Sequence, residues 1–466
     1  MNLSLIDTLI IGFFFISIIV FSIYQNKGLK KNNSQAYFLA NKNTHWIIAM
    51  LSIVATETSV LTFVGIPAMS SNNHDWSILQ LVLGFMLGRI IVSQFFISIY
   101  YKEGVVSIYQ IIGDKFGVIV QKTASVTFLI TRLFADGVRF LATASIVHVI
   151  TGWDLQLSII IIGVITIFYT SIGGLKTILW VDGFQFFIYL SCGLITIFYI
   201  IFYQGIEFAQ ITNQIAIFKG GFNLSNSDSF FIMVFSGALI SIGSHGVDYL
   251  MVQRVLSTKN IANAKKAMIG SGVFVFIQFC VFLLVGSLIS THFEPSGSSN
   301  NIFAEYIKYQ IPVGLKGLMI AGVLSAAMSS LSSSINSMAS STIIDILNKK
   351  NYNKSIQTSV LWGVTLTLFC LFIKFDTTTS VVIIALQIAS FTYGSLIGLF
   401  LLSKLSNDFS TQSVICGYIG SILILLIANF YGLKFTYFIA IGVVSNLAIT
   451  YFSNFYWIAL TKNKID

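Results

Sequence analysis

The sequence is poor in charged residues and in proline, and both shortages limit what the protein can be. Of its 466 residues only 9% are charged, 56% are hydrophobic, and the mean hydropathy is +0.86. Soluble domains carry about 25% charged residues, so a soluble fold is excluded. No stretch is polar enough for a separate soluble domain, and the chain contains only three prolines. We therefore predict one polytopic integral membrane domain over residues 1–466.

Cysteine is also scarce, and the common catalytic motifs are missing. The four cysteines lie far apart in apolar stretches, without histidines at metal-binding spacing, so neither disulfides nor a metal cluster are predicted. The sequence has no GxxxxGK[ST] loop, no HExxH motif, no nucleophile elbow and no CxxC pair. Because these motifs carry the chemistry of ATP-driven pumps and of many hydrolases, we predict that the protein is not an enzyme.

Thirteen apolar segments are long enough to cross a bilayer, which takes roughly 20 residues. They are predicted at residues 4–24, 45–70, 77–100, 118–150, 155–171, 180–203, 229–252, 269–291, 313–345, 356–373, 378–403, 411–430 and 434–459. Most lysines follow odd-numbered segments, so the positive-inside rule predicts an outside N-terminus and a cytoplasmic C-terminus. Topology thus explains the net charge of +9 without a nucleic-acid partner.

Glu57 is the most informative single residue, because it lies within an apolar stretch at 47–70. An ionisable group at bilayer depth costs at least about 2.5–3.5 kcal/mol, so it is expected to face a water-filled or ion-filled site. The same stretch holds residues that favour a broken, polar helix: Thr56, Thr58, Ser59, Thr62, Gly65 and Pro67. Irregular backbone is tolerated at membrane depth where it lines a cavity. We predict a cation site at residues 54–67.

The ninth predicted span is rich in serine. Its serines at a four-residue spacing share a slowly drifting helix face: Ser325, Ser329, Ser333, Ser337 and Ser341. Two interpretations stay open. Small hydroxyl residues favour close helix packing, and hydroxyls also supply ligands for a hard cation, together with the backbone carbonyls of broken helices.

Three charged residues share one face of the fourth span. Arg132, Asp136 and Arg139 have i, i+4, i+7 spacing, so Asp136 can bridge both arginines. The first interpretation is a structural ion-pair ladder. The second is that the spare positive charge recognises an anionic substrate, since arginine suits bidentate binding of carboxylates.

Polar residues also mark the cytoplasmic ends of two spans. Asp182 enters the sixth span after a turn; it either caps its helix, pairs with Lys176, or faces the path by which a cation leaves. At the end of the seventh span, Asp248 and Arg254 are predicted to tie the helix to the next loop. His245 is interpreted as a packed or solvated residue rather than a ligand.

Five motifs together resemble the sodium/solute symporter family, whose members carry proline, pantothenate, sugars, short carboxylates or sialic acid. The motifs lie at residues 36–40, 57–67, 173–185, 252–254 and 326–330, so the resemblance covers nearly the whole chain. It implies an all-α integral membrane fold of the LeuT type with about 13 transmembrane helices. A 5+5 inverted-repeat core is expected at 45–203 and 229–403, with peripheral helices at 4–24 and 411–459. Spans two and seven are expected to be broken at the midplane.

The resemblance also implies the site residues. The central sodium site falls on the carbonyls of Ala55, Thr58 and Ala326 and on the hydroxyls of Ser329 and Ser330, with Asp182 on the cytoplasmic ion path. Some members bind a second sodium through that aspartate and a serine one turn before the serine pair. Ala326 stands at that position, so one Na⁺ and no other metal is predicted. Glu57 matches an aspartate that is important for sodium in proline carriers. Substrate is expected beside Glu57, Ser59 and Thr62, with Gln387 and Tyr393 as further candidates.

These expectations combine into a secondary-active Na⁺-coupled importer of a small organic solute, preferably an amino acid or small organic acid. Its partners are that solute and the lipid bilayer of a bacterial-type plasma (inner) membrane, and no obligate protein partner is inferred. Two alternatives stay open. One is a proton-coupled carrier of the same fold that uses Glu57. The other is a non-transporting substrate sensor, although the chain ends soon after the last span and no output domain is expected.

Overall fold

The computed structural model describes residues 3–26, 34–206, 215–218, 220–223, 226, 228–295, 301–349, 351–373, 381–405 and 408–462. Within these ranges the regular structure is helical. The helices are α1 (Leu5–Asn26), α2 (Ser34–Leu39), α3 (Trp46–Glu57), α4 (Val60–Ser71), α5 (Ile78–Glu103), α6 (Ile108–Phe116), α7 (Val118–Thr151), α8 (Leu155–Phe198), α9 (Phe230–Ile242), α10 (Tyr249–Leu256), α11 (Ile261–Ile289), α12 (Ile302–Tyr309), α13 (Leu315–Ser341), α14 (Tyr352–Phe372), α15 (Val381–Lys404), α16 (Thr411–Phe430) and α17 (Phe438–Lys462).

The predicted all-α membrane class is confirmed, whereas the number of spans stays a prediction. Ten helices of the described ranges are long and apolar enough to cross a bilayer, or eleven if the bent pair α3 and α4 is one span. The two spans predicted at 155–171 and 180–203 lie within the helical stretch Leu155–Tyr203, in which non-helical Gly174 separates two helices. The predicted start of a span at residue 378 lies outside the described residues. The helix α11 begins at Ile261, eight residues before the predicted boundary, because Asn260 caps it by accepting from Asn263 N.

Gly174 divides α8 where the sequence predicts a turn between two spans. Its φ of 57° and ψ of −152° are not helical, and this backbone region is essentially restricted to glycine. A Cβ at this position would lie 2.5 Å from the carbonyl oxygen of Tyr37 in α2. Glycine is therefore required both by the backbone conformation and by the close approach of α2.

Two spans are broken, as the family resemblance implies. The helix α3 ends before Thr58, which is extended at φ −77° and ψ 111°, and the helical segments on either side are bent by 60°. The helix α9 passes into a π-helical turn, Gly243–Val247, and extended Asp248 precedes α10. The Asp248 side chain caps α10 by accepting from Leu250 N at 3.0 Å.

The serine-rich helix α13 is the buried axis of the fold. It packs against α1, α3, α7, α8 and α14, and its residues from Met319 to Ser341 are all buried. The first helix anchors its beginning, because the Asp7 carboxylate accepts from the backbone N–H groups of Gly314 and Gly317, each at 2.8 Å. These N–H groups have no partner within α13. Small residues allow such close packing of helices, so the packing interpretation applies to much of the serine-rich face.

Candidate functional site

Five oxygen atoms from the break after α3 and from α13 form one compact set, which we call the oxygen group. Ser329 Oγ lies 2.9 Å from the carbonyl oxygen of Ala55 and 3.3 Å from that of Ala326. Ser330 Oγ lies 3.5 Å from the carbonyl oxygen of Thr58 and 3.4 Å from that of Ala326. All five residues are buried. These are the five residues that the resemblance implies for sodium, and the fold brings them together.

The break after α3 makes these carbonyls available. A helix leaves its last four carbonyl groups without intrahelical N–H partners, and α3 ends at Glu57. Ser329 therefore donates to Ala55, and Ser330 donates to Thr56 at 3.1 Å. Unwound carbonyls at a midplane break are the usual ligands for Na⁺ in transporters, so the group has the donor chemistry of a sodium site.

Gln278 of α11 holds the side chain of Thr58 at this break. Thr58 Oγ1 lies 2.9 Å from Gln278 Oε1, and the Tyr189 hydroxyl donates to the same oxygen at 2.8 Å. Both Gln278 and Tyr189 are buried. Sequence analysis missed them, although a lone glutamine within an apolar span is itself a signal of function. Their contacts fix the residue whose carbonyl belongs to the oxygen group.

Asp182 is the centre of a second set of oxygens, which we call the Asp182 group. Ser52 donates to Asp182 Oδ2 at 2.6 Å, and the hydroxyls of Ser332 and Ser333 lie 3.5 Å from the carboxylate. Arg254 Nη2 lies 3.6 Å from Asp182 Oδ2, and it also donates to Ser333. This set therefore contains a buried cation as well as oxygens.

The partners of these charged residues differ from two sequence interpretations. Asp182 is buried against Arg254 and not paired with Lys176. The predicted tie between Asp248 and Arg254 is wrong, because Asp248 pairs with Arg132 of α7 at 2.5 Å. The break before α10 turns Asp248 towards α7, while Arg254 lies more than one turn later on α10. Residue spacing assumes a continuous helix, so it could not predict that the chain changes direction at Asp248.

The two groups are connected by hydroxyls. Ser333 Oγ donates to the carbonyl of Ser329 at 2.7 Å and lies 2.9 Å from Thr56 Oγ1. Thr56 Oγ1 in turn lies 3.4 Å from Asp182 Oδ2. A continuous series of polar atoms thus runs from the oxygen group to the aspartate that the resemblance assigns to the ion path.

The ion pairs expected within α7 are present. Asp136 Oδ1 lies 3.4 Å from Arg132 Nη1 and 3.5 Å from Arg139 Nη1. Arg132 also pairs with Asp248, and the Tyr393 hydroxyl lies 2.8 Å from Arg132 Nη2 and 2.7 Å from Asp248 Oδ2. Arg132 therefore has two carboxylate partners, whereas the described partner of Arg139 is the shared Asp136.

A pocket lies between the oxygen group and the ion pairs of α7. Its described lining residues are Ser59, Asp136, Arg139, Phe140, Thr143, Ala326, Ala327, Ser330 and Leu331. The Arg139 side chain is 19% exposed, compared with 2% for Arg132. Five of these nine lining residues are polar or charged, and the pocket has a volume of about 10 Å³, room for roughly one water molecule. Its polar groups converge beside the oxygen group, so it is the candidate solute site, but a solute would fit only after the surrounding helices move apart.

Glu57 does not lie among the described residues that line this pocket. Its carboxylate forms an ion pair with the buried Arg89 of α5, and His245 Nε2 lies 3.7 Å from Glu57 Oε2. Arg89 also donates to Ser271 at 3.1 Å. The Glu57 side chain is 22% exposed, so the expectation that it faces a water-filled or ion-filled site stays a prediction. Glu57 joins the break after α3 to the break before α10, and sequence analysis missed both Arg89 and His245 as its neighbours.

The remaining substrate candidates are also separated. Gln387 of α15 donates to Asn429 of α16, on the peripheral side of the core. Tyr393 belongs to the buried cluster of Arg132 and Asp248. Thr62 is half-buried on α4 and is not among the described residues that line the pocket. Of the predicted substrate residues, the pocket contains Ser59.

The sequence of the chain was compared with models of known protein families. The model of the sodium:solute symporter family matches residues 37–420 of the chain, which is most of its length. The chain belongs to this family. The resemblance drawn from the five motifs is thereby confirmed, and the family's description agrees with the prediction of Na⁺ as the coupling ion.

The chain has relatives in animals and bacteria. It is 26% identical over 354 residues to the human sodium-coupled monocarboxylate transporter 2, an alignment that covers 72% of this chain and 56% of the human protein. It is 28% identical over 354 residues to the sodium/sialic acid symporter NanT of Aliivibrio fischeri, covering 72% of this chain and 69% of that protein. The chain therefore spans little more than half the length of the human relative. These relatives are transporters rather than enzymes.

Solved structures support the fold. A substrate-bound, outward-open Na⁺-coupled sialic acid symporter superposes with a TM-score of 0.82 at 22% identity, covering 96% of this chain and 97% of that chain. Mhp1, a nucleobase-cation-symport-1 family transporter, superposes with a TM-score of 0.61 at 15% identity, covering 91% and 94%. At these identities the comparison concerns the fold, and it confirms the predicted LeuT-type class.

Proposed function

We propose that this symporter is a secondary-active importer that couples one Na⁺ to a small organic solute bearing a carboxylate, such as an amino acid or a small organic acid. The observation that carries the proposal is the oxygen group, in which Ala55 and Thr58 of the first break meet Ser329 and Ser330 of α13. A sodium ion bound there would join two helices that the oxygen atoms alone hold only weakly. Sodium would thus stabilise one arrangement of the broken helix.

Arg139 supports the choice of a carboxylate. It lines the pocket together with the hydroxyl residues Ser59, Thr143 and Ser330. Its described carboxylate partner, Asp136, is shared with Arg132 and lies 3.5 Å away. An arginine with an incompletely used guanidinium and neighbouring hydroxyls matches the two oxygens of a carboxylate.

The adjacency of the two sites explains coupling. Ala326 and Ser330 belong both to the oxygen group and to the pocket wall. Sodium would orient the Ser330 hydroxyl and the carbonyls beside it, and a bound solute would hold the same residues in return. The coupling free energy is reciprocal, so the solute must tighten sodium binding by the factor by which sodium tightens solute binding. The membrane potential adds about 2.3 kcal/mol per charge per 100 mV.

The contacts of Arg254 favour a single sodium. Its guanidinium lies against Asp182 and Ser333, where a second cation would need the same oxygens. Two positive charges at this buried aspartate would repel each other. We therefore retain the prediction of one sodium, with Asp182 on the path by which it leaves.

The ion pair of Glu57 disfavours the proton-coupled alternative. A carboxylate that carries a proton must lose its charge in each cycle, and doing so would leave Arg89 buried without its partner at high cost. No comparable observation favours a sensor without transport.

Thermal unfolding of the purified protein across a panel of amino acids and small carboxylates, in Na⁺ and in K⁺, tests the proposal. We expect at least one carboxylate to raise the unfolding temperature in Na⁺ but not in K⁺. The matching neutral amide or alcohol serves as the control for the carboxylate. Stabilisation that is equal in both salts and depends on pH would instead support proton coupling.

A further inference from the structure

A second cavity lies on the side of the protein that the lysine distribution predicts to be cytoplasmic. Its volume is about 380 Å³, and its described lining residues are Ala40, Asn41, Asn43, Thr44, His45, Lys176, Leu179 and Trp180. It lies between the turn before α3 and the part of α8 that follows Gly174. It shares no described lining residue with the pocket beside Arg139, so it is a separate cavity.

The lining of this cavity is rich in hydrogen-bond donors. No carboxylate is among its described lining residues, and Lys176 has no ion-pair partner among the residues whose placement is described. His45 Nδ1 accepts from Ile47 N at 3.3 Å, so in the neutral ring the proton resides on Nε2, which is a donor. The Asn41 and Asn43 amides and the Trp180 indole add further N–H groups. The positive charge of Lys176 and the surrounding N–H donors, with no carboxylate among the described lining residues, favour an anionic ligand.

The turn that forms one wall is held in a costly conformation. Ala40, Asn41 and Lys42 have φ values of 49°, 56° and 53°, in the left-handed region that L-residues avoid. Lys42 Nζ donates to the carbonyl of Gly104 at 3.5 Å, and Thr44 N donates to that of Ser257 at 3.0 Å. These contacts on neighbouring loops hold the turn, and strained backbone of this kind clusters at ligand sites.

The outer side of the cavity continues into a lipid-facing surface. Trp180, Phe184 and Phe187 share one face of α8 and are 39%, 40% and 56% exposed. Tryptophan at the end of such a face is typical of the membrane–water interface. We propose that this cavity binds the phosphate of an anionic phospholipid headgroup, with Lys176 as its cation and with acyl chains along the aromatic face of α8. Basic pockets between membrane helices on the cytoplasmic side are suited to such headgroups.

Titration of the detergent-purified full-length symporter with phosphatidylglycerol tests the proposal, with the unfolding temperature as the readout. Phosphatidylcholine with the same acyl chains is the control lipid. We expect saturable stabilisation by phosphatidylglycerol only. We expect K176Q to weaken its apparent affinity about fivefold, and K176R to retain it. The matched control is K265Q, because Lys265 is on the same predicted side but contacts Gln94 at 3.2 Å and does not line the cavity.

A second variant keeps the test decisive if K176Q does not fold. Asn41→Asp keeps a residue type that tolerates positive φ and adds a negative charge to the cavity, so it should weaken binding more than K176Q. Inorganic phosphate titrated without lipid distinguishes the two sources of the anion. Absence of stabilisation by phosphate supports the lipid, whereas stabilisation equal to that by phosphatidylglycerol and lost in K176Q would overturn the lipid in favour of an aqueous anion. The proposal is overturned if phosphatidylcholine stabilises as well as phosphatidylglycerol, or if K176Q, Asn41→Asp and K265Q all respond like the unmodified protein.

Discussion

The oxygen group and the Asp182 group are neighbours on α13, yet they differ in charge. The first consists of carbonyl and hydroxyl oxygens with no charged side chain. The second has a carboxylate, three serine hydroxyls and a guanidinium. By residue type alone, the Asp182 group would be the better site for a cation, because it has the formal negative charge. Its own arginine reverses that conclusion, since a site for a mobile cation must not already contain a fixed one.

Arg254 is one of four arginines in the chain, and all four lie in the helical core beside a carboxylate. The lysines described in ion pairs are instead more exposed. Arginine remains charged when buried and offers several fixed donors. The core therefore uses arginine for permanent charge, and the oxygen group has no charged side chain, as the proposed sodium site requires.

Removing the Arg254 guanidinium, the fixed cation of the Asp182 group, should have the largest effect. Arg254→Met leaves Asp182 buried without its partner, which costs about 3–5 kcal/mol of stability. We expect a large fall in unfolding temperature that Na⁺ partly reverses, since sodium can then occupy the vacated oxygens. The double variant Asp182→Asn/Arg254→Met removes both charges and should recover most of the loss. An unchanged unfolding temperature in Arg254→Met would show that the pair does not stabilise the fold.

Removing ligands from the neutral group should be the next largest effect. Ser329→Ala/Ser330→Ala deletes two of five oxygens, at roughly 1.5 kcal/mol or more for each contact to a charge. The sodium concentration for half-maximal uptake should rise about 100-fold, with expression maintained. Ser337→Ala is the matched control, because this buried serine donates to Ser334 further along α13. Equal sodium dependence in the double variant and the control would remove the assignment of the site.

A substitution of the pocket residue Arg139 should change the affinity for the solute without changing the affinity for sodium. Arg139→Gln removes one charge-assisted contact to a carboxylate, worth roughly 1.5–3 kcal/mol, so KM for the solute should rise about 10-fold or more. Sodium binding measured without solute should change little. Arg139→Lys retains charge but not the planar donor pair, and it should be intermediate. If KM is unchanged in Arg139→Gln, the arginine belongs only to the ion-pair ladder.

The smallest effect is expected for Gln278, which contacts Thr58 at the break after α3. Gln278→Leu removes the contacts to Thr58 and Tyr189, worth about 1 kcal/mol, and should weaken apparent sodium affinity about fivefold. Gln278→Glu keeps an acceptor at the same place and serves as the comparison. Because Gln278 contacts the side chain of a proposed sodium residue, Thr58→Val should add little to Gln278→Leu. Strict additivity of the two changes would mean that they act independently.

Much of the fold was readable from the sequence, for physical reasons that particular residues illustrate. Apolar length identifies spans, and Thr58, Gly65 and Pro67 indicated the first broken helix. The break at Gly174 was located only as a turn between two predicted spans. The structure also packs α2 against Gly174, a contact that no local pattern contains.

The site was predictable where its residues repeat a family motif and unpredictable where they meet across the fold. The oxygen group follows from motifs at 54–67 and 326–330. The partner of Glu57 is Arg89 of α5, and the partner of Asp182 is Arg254 of α10. A single charged residue within a span predicts that it has a partner of opposite charge. The sequence does not identify that partner, because several pairings would neutralise the same residues. Gln387 illustrates the limit, since its amide pairs with Asn429 of a peripheral helix.

The separation of the paired charges along the chain has a consequence for biosynthesis. Arg132 and Asp248 are 116 residues apart, an interval that takes roughly 6–23 s to translate at about 5–20 residues per second. During that time α7 has Asp136 as a partial partner for Arg132, whereas Asp182 has no arginine until α10 is made. A charged Asp182 without its partner is costly in lipid, so we expect α8 to stay sheltered from lipid until Arg254 is made.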